Sequence, residues 1–69
     1  MSGLARVAVH PPSPTGGRRV TVGAEILGVA YGIADLLEFL RRAGMDPDDV
    51  RLDDPGLIDW RGGGPDVWG

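Results

Sequence analysis

The segment 33–43 has the clearest helical repeat in the sequence, and this repeat limits the possible folds more than any other feature. Its apolar residues recur at the i, i+3, i+4 and i+7 spacing of one helix face, namely Ile33, Leu36, Leu37 and Leu40. A glycine follows at position 44 and a proline at 47, where helices commonly end. We therefore expect one amphipathic helix that buries Leu36, Leu37 and Leu40 and exposes Asp35, Glu38 and Arg42.

The segment 18–31, which precedes this helix, has the alternating pattern of a β-hairpin. Gly23 and Ala24 fit a two-residue turn, and residues that favour strands flank them on both sides. A turn at this position brings one set of side chains to the expected core face, namely Val20, Val22, Leu27, Val29 and Tyr31. Ile26 falls on the other face, where it is either partly exposed or covered by the tail or by another subunit.

The two ends of the chain are predicted to lack regular structure. Residues 1–17 are expected to form a flexible tail, because three prolines between positions 11 and 14 remove backbone donors. The weak alternation over 4–9 leaves an edge strand open as the alternative. Residues 62–69 have the sequence GGGPDVWG and are predicted to be a glycine-rich tail. Between the helix and this tail, 50–52 is expected to be a short extended piece. Residues 57–60 fit either a further short strand or a helical turn, and Trp60 is expected to cap the core.

Together these segments predict an α+β fold in a single small domain over residues 18–61. A β-hairpin at about 18–31 packs against one amphipathic α-helix at about 33–43, with a short third extended segment and flexible termini. A chain of 69 residues provides for only one such domain. Because its core is thin and the hairpin leaves open edges, we expect self-association or an obligatory partner.

The composition argues against several classes of protein. The chain has no cysteine, which removes disulfides and thiolate chemistry. No apolar run approaches the roughly 18 residues of a membrane span, and the first ten residues do not resemble a secretory signal, so we expect a cytoplasmic protein. The formal net charge is −3, which opposes nonspecific binding to nucleic acids or anionic membranes. The absence of Lys, Asn and Gln favours a GC-rich bacterial source.

No residue pattern predicts a catalytic, metal or cofactor site. Five aspartates lie between 46 and 54, but the sixth and twelfth positions counted from Asp46 are Arg51 and Leu57, where a calcium loop needs Gly and Glu. The glycines 62–64 lack the cation and the following helix of a phosphate loop. His10, the single histidine, lies next to prolines with no nucleophile motif nearby. We therefore expect no enzyme activity and no cofactor.

The tryptophan near the C-terminus suggests how the protein could bind a partner. Trp68 follows three glycines and a proline, so it is separated in sequence from any core. One hypothesis is a docking tail, since tryptophan is frequent among interface hot spots. The candidate partner-binding residues are then Trp68, Val67, Asp66, Pro65 and, on the hairpin, Ile26. The alternative is that the tail folds back and Trp68 packs on its own domain.

The sequence thus predicts a non-catalytic protein–protein interaction module, an accessory, regulatory or antitoxin/inhibitor-like subunit. Its partner is expected to be another protein, a second copy of the chain, or both. The alternative is a small nucleic-acid-binding or transcription-associated regulator. That alternative uses the pairs 18–19 and 41–42, which are all arginine, together with stacking by an aromatic residue such as Tyr31.

Overall fold

The computed structural model describes residues 7–68, which form four β-strands, one α-helix and one short 3₁₀ helix. The strands are β1 (Val7–Pro12), β2 (Arg18–Val22), β3 (Glu25–Ala30) and β4 (Ile58–Trp60). The helix α1 spans Ile33–Arg42, and the 3₁₀ helix spans Pro47–Asp49. The predicted α+β class is confirmed, including the hairpin and the helix. In the described residues, neither helix has the length and apolar character needed to cross a membrane.

The strand β1 lies inside the sheet, in a part of the chain that we expected to be a tail. The strand order is β3-β2-β1-β4, with β1 antiparallel to β2 and parallel to β4. Val7 and Val9 are fully buried because they alternate along β1 and face the core. The prolines fall at the end of β1, where the register shifts before Pro12 pairs with Arg18, so their missing donors cost little there.

The predicted tail at 1–17 is therefore corrected for residues 7–12, which form a central strand. The connection from β1 to β2 is also ordered locally, since the Ser13 N–H donates to the Gly17 carbonyl at 2.9 Å. The rest of this prediction, over residues 1–6, lies outside the described residues. The strand signal in the sequence was the alternation of Val7 with Val9, which the run of prolines outweighed in our interpretation.

The hairpin of β2 and β3 has the expected turn. Gly23 has a φ of +59°, and Ala24 has no positive φ, which fits a type II′ turn. The residues on either side of the turn, Val22 and Glu25, pair with each other as expected. The first part of the predicted register is therefore confirmed.

Beyond that point a β-bulge shifts the hairpin register by one residue. Val20 pairs with Gly28, not with Leu27 as expected. After such a shift every following side chain changes face. Val29 and Tyr31, which we expected in the core, are therefore 44% and 66% exposed.

The helix α1 packs on the core face of the sheet through Leu36 and Leu40, which are fully buried. Leu37 was expected to join them but is only half-buried, because Phe39 packs against the core in its place. The Phe39 ring lies over Gly28, where a β-carbon would come within 2.8 Å of it. The buried apolar cluster consists of Val7, Val9, Val20, Ala30, Leu36, Leu40 and Ile58.

The opposite side of α1 is polar. Asp35 and Arg42 are exposed as predicted, and the Asp35 carboxylate accepts the Tyr31 N–H at 3.0 Å. Glu38 accepts hydrogen bonds from Arg41 at 2.7 Å and from Arg42 at 3.0 Å. The bond from Arg41 is the main reason why the pKa of Glu38 lies below its ordinary value.

Candidate interaction surface

The two arginines at the start of β2 lie on opposite faces of the sheet, although they are neighbours in the sequence. Arg18 is in phase with Val20 and is fully buried, whereas Arg19 is exposed. This separation follows from the two-residue period of a strand. The two residues therefore do not form one basic patch, as the nucleic-acid alternative assumed.

The guanidinium of Arg18 donates every one of its N–H groups to a backbone carbonyl. A guanidinium has five N–H donors in a planar arrangement. At distances of 2.8–2.9 Å, these five bonds go to the carbonyl oxygens of His10, Arg61, Gly63, Gly64 and Val67. The described residues thus neutralise this buried cation with peptide dipoles and not with a carboxylate.

Two tryptophan rings complete the surroundings of Arg18. Its Cζ atom lies 5.4 Å from the centroid of the Trp60 ring and 5.7 Å from that of Trp68. The two rings meet edge to face, with centroids 6.0 Å apart. Burial lowers the pKa of Arg18, but an arginine stays charged at neutral pH. The rings therefore add cation–π stabilisation to the hydrogen bonds. We call Arg18, these two rings and the five carbonyls the Arg18 cage.

The Arg18 cage fixes the C-terminal segment on the domain. The half-buried Trp68 donates its indole N–H to the Pro65 carbonyl at 2.7 Å. Gly62 and Gly63 have φ angles of +80° and +146°, which side-chain-bearing residues rarely adopt, so the glycine run shapes the cage. This is the folded-back arrangement that the sequence left as the alternative to a docking tail.

The residues predicted to bind a partner lie in two separate places. On the C-terminal segment, Pro65 and Asp66 are exposed and Val67 is 40% exposed, while Trp68 packs in the cage. Ile26 is 63% exposed and lies on the other face of the sheet. Partner binding by the tail residues stays a prediction.

The face of the sheet opposite α1, which we call the open face, carries most of the exposed large apolar side chains in residues 7–68. Four large apolar side chains are exposed in residues 7–68, and three of them lie on β3 or directly after it, namely Ile26, Val29 and Tyr31. Of these three residues, only Ile26 was expected on this face from the sequence pattern. The signal for the other two was Gly28, because a glycine inside a strand pattern often marks a bulge.

A groove of about 510 Å³ lies at the Tyr31 end of the open face. It is lined by Tyr31, Val29 and Arg19 and by residues 10–17, which comprise the end of β1 and the connection to β2. The Tyr31 ring lies against Gly17, where a β-carbon would come within 2.8 Å of its Cε1 atom. Gly17 therefore allows the ring to take this position. The groove offers an aromatic ring, a guanidinium and apolar surface, a combination that can bind a ligand with both apolar and anionic groups.

The polar groups next to the groove and in the acidic loop have local partners. The His10 Nε2 atom lies 3.0 Å from the Thr21 hydroxyl, so the imidazole is engaged within the sheet. Asp46 accepts the Asp48 N–H at 3.0 Å, and Asp54 accepts the Gly56 N–H at 2.9 Å. These bonds confirm the turn and cap roles that aspartate commonly has. Within residues 7–68, no three His, Asp or Glu side chains are grouped to hold a metal ion.

No family model, no curated protein and no solved structure matches this chain. The open face and the Arg18 cage are therefore the features from which a function is inferred.

Proposed function

We propose that the protein is a non-catalytic protein–protein interaction module that binds a partner protein through its open face. The observation that carries this proposal is the exposure of Ile26, Val29 and Tyr31 together on one side of β3. Contiguous apolar surface of this kind commonly marks an interaction site. Such a module acts as an accessory or regulatory subunit, of which an antitoxin-like inhibitor is one form.

The residues of the groove favour a partner segment that carries a carboxylate beside an apolar side chain. Tyr31 and Arg19 belong to the residue types that are enriched in the cores and hot spots of interfaces. The guanidinium of Arg19 can bind a carboxylate through two parallel hydrogen bonds. An apolar side chain of the same segment would then pack on the Tyr31 ring and Val29.

The charges elsewhere on the domain do not oppose such a segment. The 3₁₀ helix Pro47–Asp49, with its two aspartates, packs beside α1, on the side of the sheet away from the open face. On β4, Asp59 is paired with Arg61 at 2.6 Å. Next to Tyr31, the Asp35 carboxylate accepts the Tyr31 N–H, and no carboxylate within residues 7–68 forms an ion pair with Arg19.

A single-stranded nucleic acid is the second candidate ligand, and the same pair of residues favours it. Tyr31 could stack on a base while Arg19 binds a phosphate. Nucleic-acid binding draws most of its affinity from several such phosphate contacts. The net charge of −3 and the burial of Arg18 oppose it, so we place it second.

The experiment is affinity capture from lysate with the tagged full-length chain and with its variants Tyr31→Ala and Arg19→Glu. We expect the wild type to retain a protein and each variant to reduce the retained amount by about tenfold or more, because interface anchors commonly contribute at least 2 kcal/mol. Circular dichroism should be unchanged, since both side chains are exposed. Unchanged capture by both variants would overturn the proposal.

The matched control is Val67→Lys, which changes an exposed apolar residue on the C-terminal segment. We expect it to capture as well as the wild type. If only this control loses capture, the partner binds to the C-terminal segment and not to the open face, as the docking-tail hypothesis from the sequence predicts. If nucleic acid is retained instead, and high salt releases it, the second candidate replaces the first.

A further inference from the structure

Within residues 7–68, the strand β3 is an edge of the sheet, and the hydrogen bonds of the opposite edge fix which of its backbone groups have no partner there. The Val7 N–H donates to the Leu57 carbonyl and the Arg61 N–H to the Val9 carbonyl, both at 2.9 Å. The backbone groups of Val7 and Val9 thus face β4, and those of Ala8, between them, face β2. Along a strand, the backbone groups of successive residues point alternately to one side and to the other.

The same alternation carries across β2 to β3. Ala8 pairs with Thr21, so the backbone groups of Thr21 face β1 and those of its neighbours in β2 face β3. Ile26 pairs with Thr21, and Val29 pairs with Arg19. Ile26 and Val29 therefore direct their N–H and C=O groups away from β2, to the free edge. The free stretch ends at Tyr31, whose N–H is bonded to Asp35 at 3.0 Å.

The bulge makes this free edge complementary to itself. It places Leu27 and Gly28 together opposite Val20, so Ile26 and Val29 have the spacing of alternate residues in a regular strand. Two antiparallel copies of β3 can then place Ile26 of each opposite Val29 of the other. The two resulting residue pairs are equivalent by a two-fold axis, as a symmetric dimer requires.

We infer that the partner at this edge is a second copy of the chain, which pairs through β3 to give one continuous eight-stranded sheet. The inference extends the proposed function, because β3 supplies both the edge and part of the open face. In this arrangement the exposed Ile26 of each copy packs beside the exposed Val29 of the other, so that each copy contributes two apolar side chains to the contact. In this register Glu25 lies opposite Ala30, so no charged residue of β3 faces a like charge.

The first test is the mass of the full-length chain by analytical ultracentrifugation over about 1 μM to 1 mM, the range in which weak dimers dissociate. We expect the mass to rise with concentration towards twice the 7.3 kDa of one chain. Ile26→Pro should raise the dissociation constant about tenfold or more, since it removes one edge donor from each copy. Its N–H does not bond to β2, so the hairpin should remain folded. Val67→Lys is the control and should dimerise as the wild type does.

The second test reads the register directly and does not depend on the proline variant. The chain has no cysteine, so Ile26→Cys and Val29→Cys can be prepared separately and then mixed. Directly opposed residues have Cα atoms about 5.5 Å apart, within the range of a disulfide. Mild oxidation should cross-link the mixture much faster than either variant alone.

Two results would overturn the inference. One is a monomer at every concentration. The other is a dimer that Ile26→Pro leaves intact and that the mixed cysteines do not cross-link. Neither result affects the proposed function, which is tested by capture with Tyr31→Ala and Arg19→Glu. Conversely, if Tyr31→Ala and Arg19→Glu capture the partner protein as well as the wild type does, the proposed function is wrong, but a dimer with the expected register still supports the inference of this subsection.

Discussion

The two faces of the sheet differ in what their side chains contact. On the core face, Val7, Val9 and Val20 pack against α1, and Arg18 binds the C-terminal segment. On the open face, apolar side chains from the same sheet remain exposed. A single strand therefore contributes to both, with alternate residues on each side. Buried and exposed apolar side chains are thus separated by the face of the sheet and not by segment of the chain.

The largest expected effect comes from Arg18, whose side chain is buried on the core face. Arg18→Met leaves five carbonyl oxygens without their donor and the C-terminal segment without its anchor. Each buried carbonyl that loses its hydrogen-bond donor commonly costs about 1–3 kcal/mol. In a core of seven fully buried apolar residues, such a loss should unfold much of the population. Urea or thermal denaturation measures it.

The matched control for this prediction is the next residue in the strand. Arg19→Met removes the same charge from an exposed position and should change the free energy of unfolding by about 0.5 kcal/mol or less. Arg18→Lys should recover only part of the loss, because an ammonium has three donors in place of five. Equal effects of Arg18→Met and Arg19→Met would contradict the role that we assign to the cage.

The fold class could be predicted from the sequence because its main elements have strong local signals. The repeat that predicts the helix over 33–43 and the residues that predict the turn at Gly23 are each local, because each signal is contained in a short stretch of the chain. The Arg18 cage could not be predicted in this way. Its donors come from β2 and its acceptors come mostly from 61–67, and no local pattern connects segments so far apart in the sequence. The one hint was an arginine in phase with Val20 and Val22 on the expected core face.

A medium effect is expected within α1, where two leucines differ in burial. Leu40→Ala should destabilise the domain by about 2–5 kcal/mol, because Leu40 is fully buried in the core cluster. Leu37→Ala should cost about 1 kcal/mol or less, since Leu37 is half-buried at the side of the helix. Chemical denaturation of both variants measures the difference. A larger loss of unfolding free energy for Leu37→Ala than for Leu40→Ala would show that Leu37 is buried in the core, as the sequence pattern predicted.

The candidate surface was only partly predictable, and the bulge is the physical reason. The regular alternation of β3 assigns Ile26 to the open face and Val29 to the core. One extra residue opposite Val20 reverses that assignment for every residue after it. Whether a strand forms a bulge depends on what packs over it, here the Phe39 ring on Gly28. A pattern within one strand does not contain that information.

The smallest expected effect lies on the exposed side of α1, away from both surfaces. The pKa of Glu38 is lowered from its ordinary value of 4.5, so its bonds to Arg41 and Arg42 stabilise the helix above that pH. This contribution is lost as the pH falls through the lower folded-state pKa. Glu38→Gln should therefore melt slightly below the wild type at neutral pH and together with it in strong acid. A difference that grows on acidification would contradict this assignment.

The association surface proposed for this protein is β3, with its outward backbone groups and its exposed side chains. The most direct measurement is residue-resolved NMR of the backbone amides as the concentration of the chain is raised. We expect the amide signals of Ile26 and Val29 to shift and to become protected from hydrogen exchange, while those of β4 keep their positions. Shifts confined to residues 65–68, or to the exposed side of α1, would contradict it.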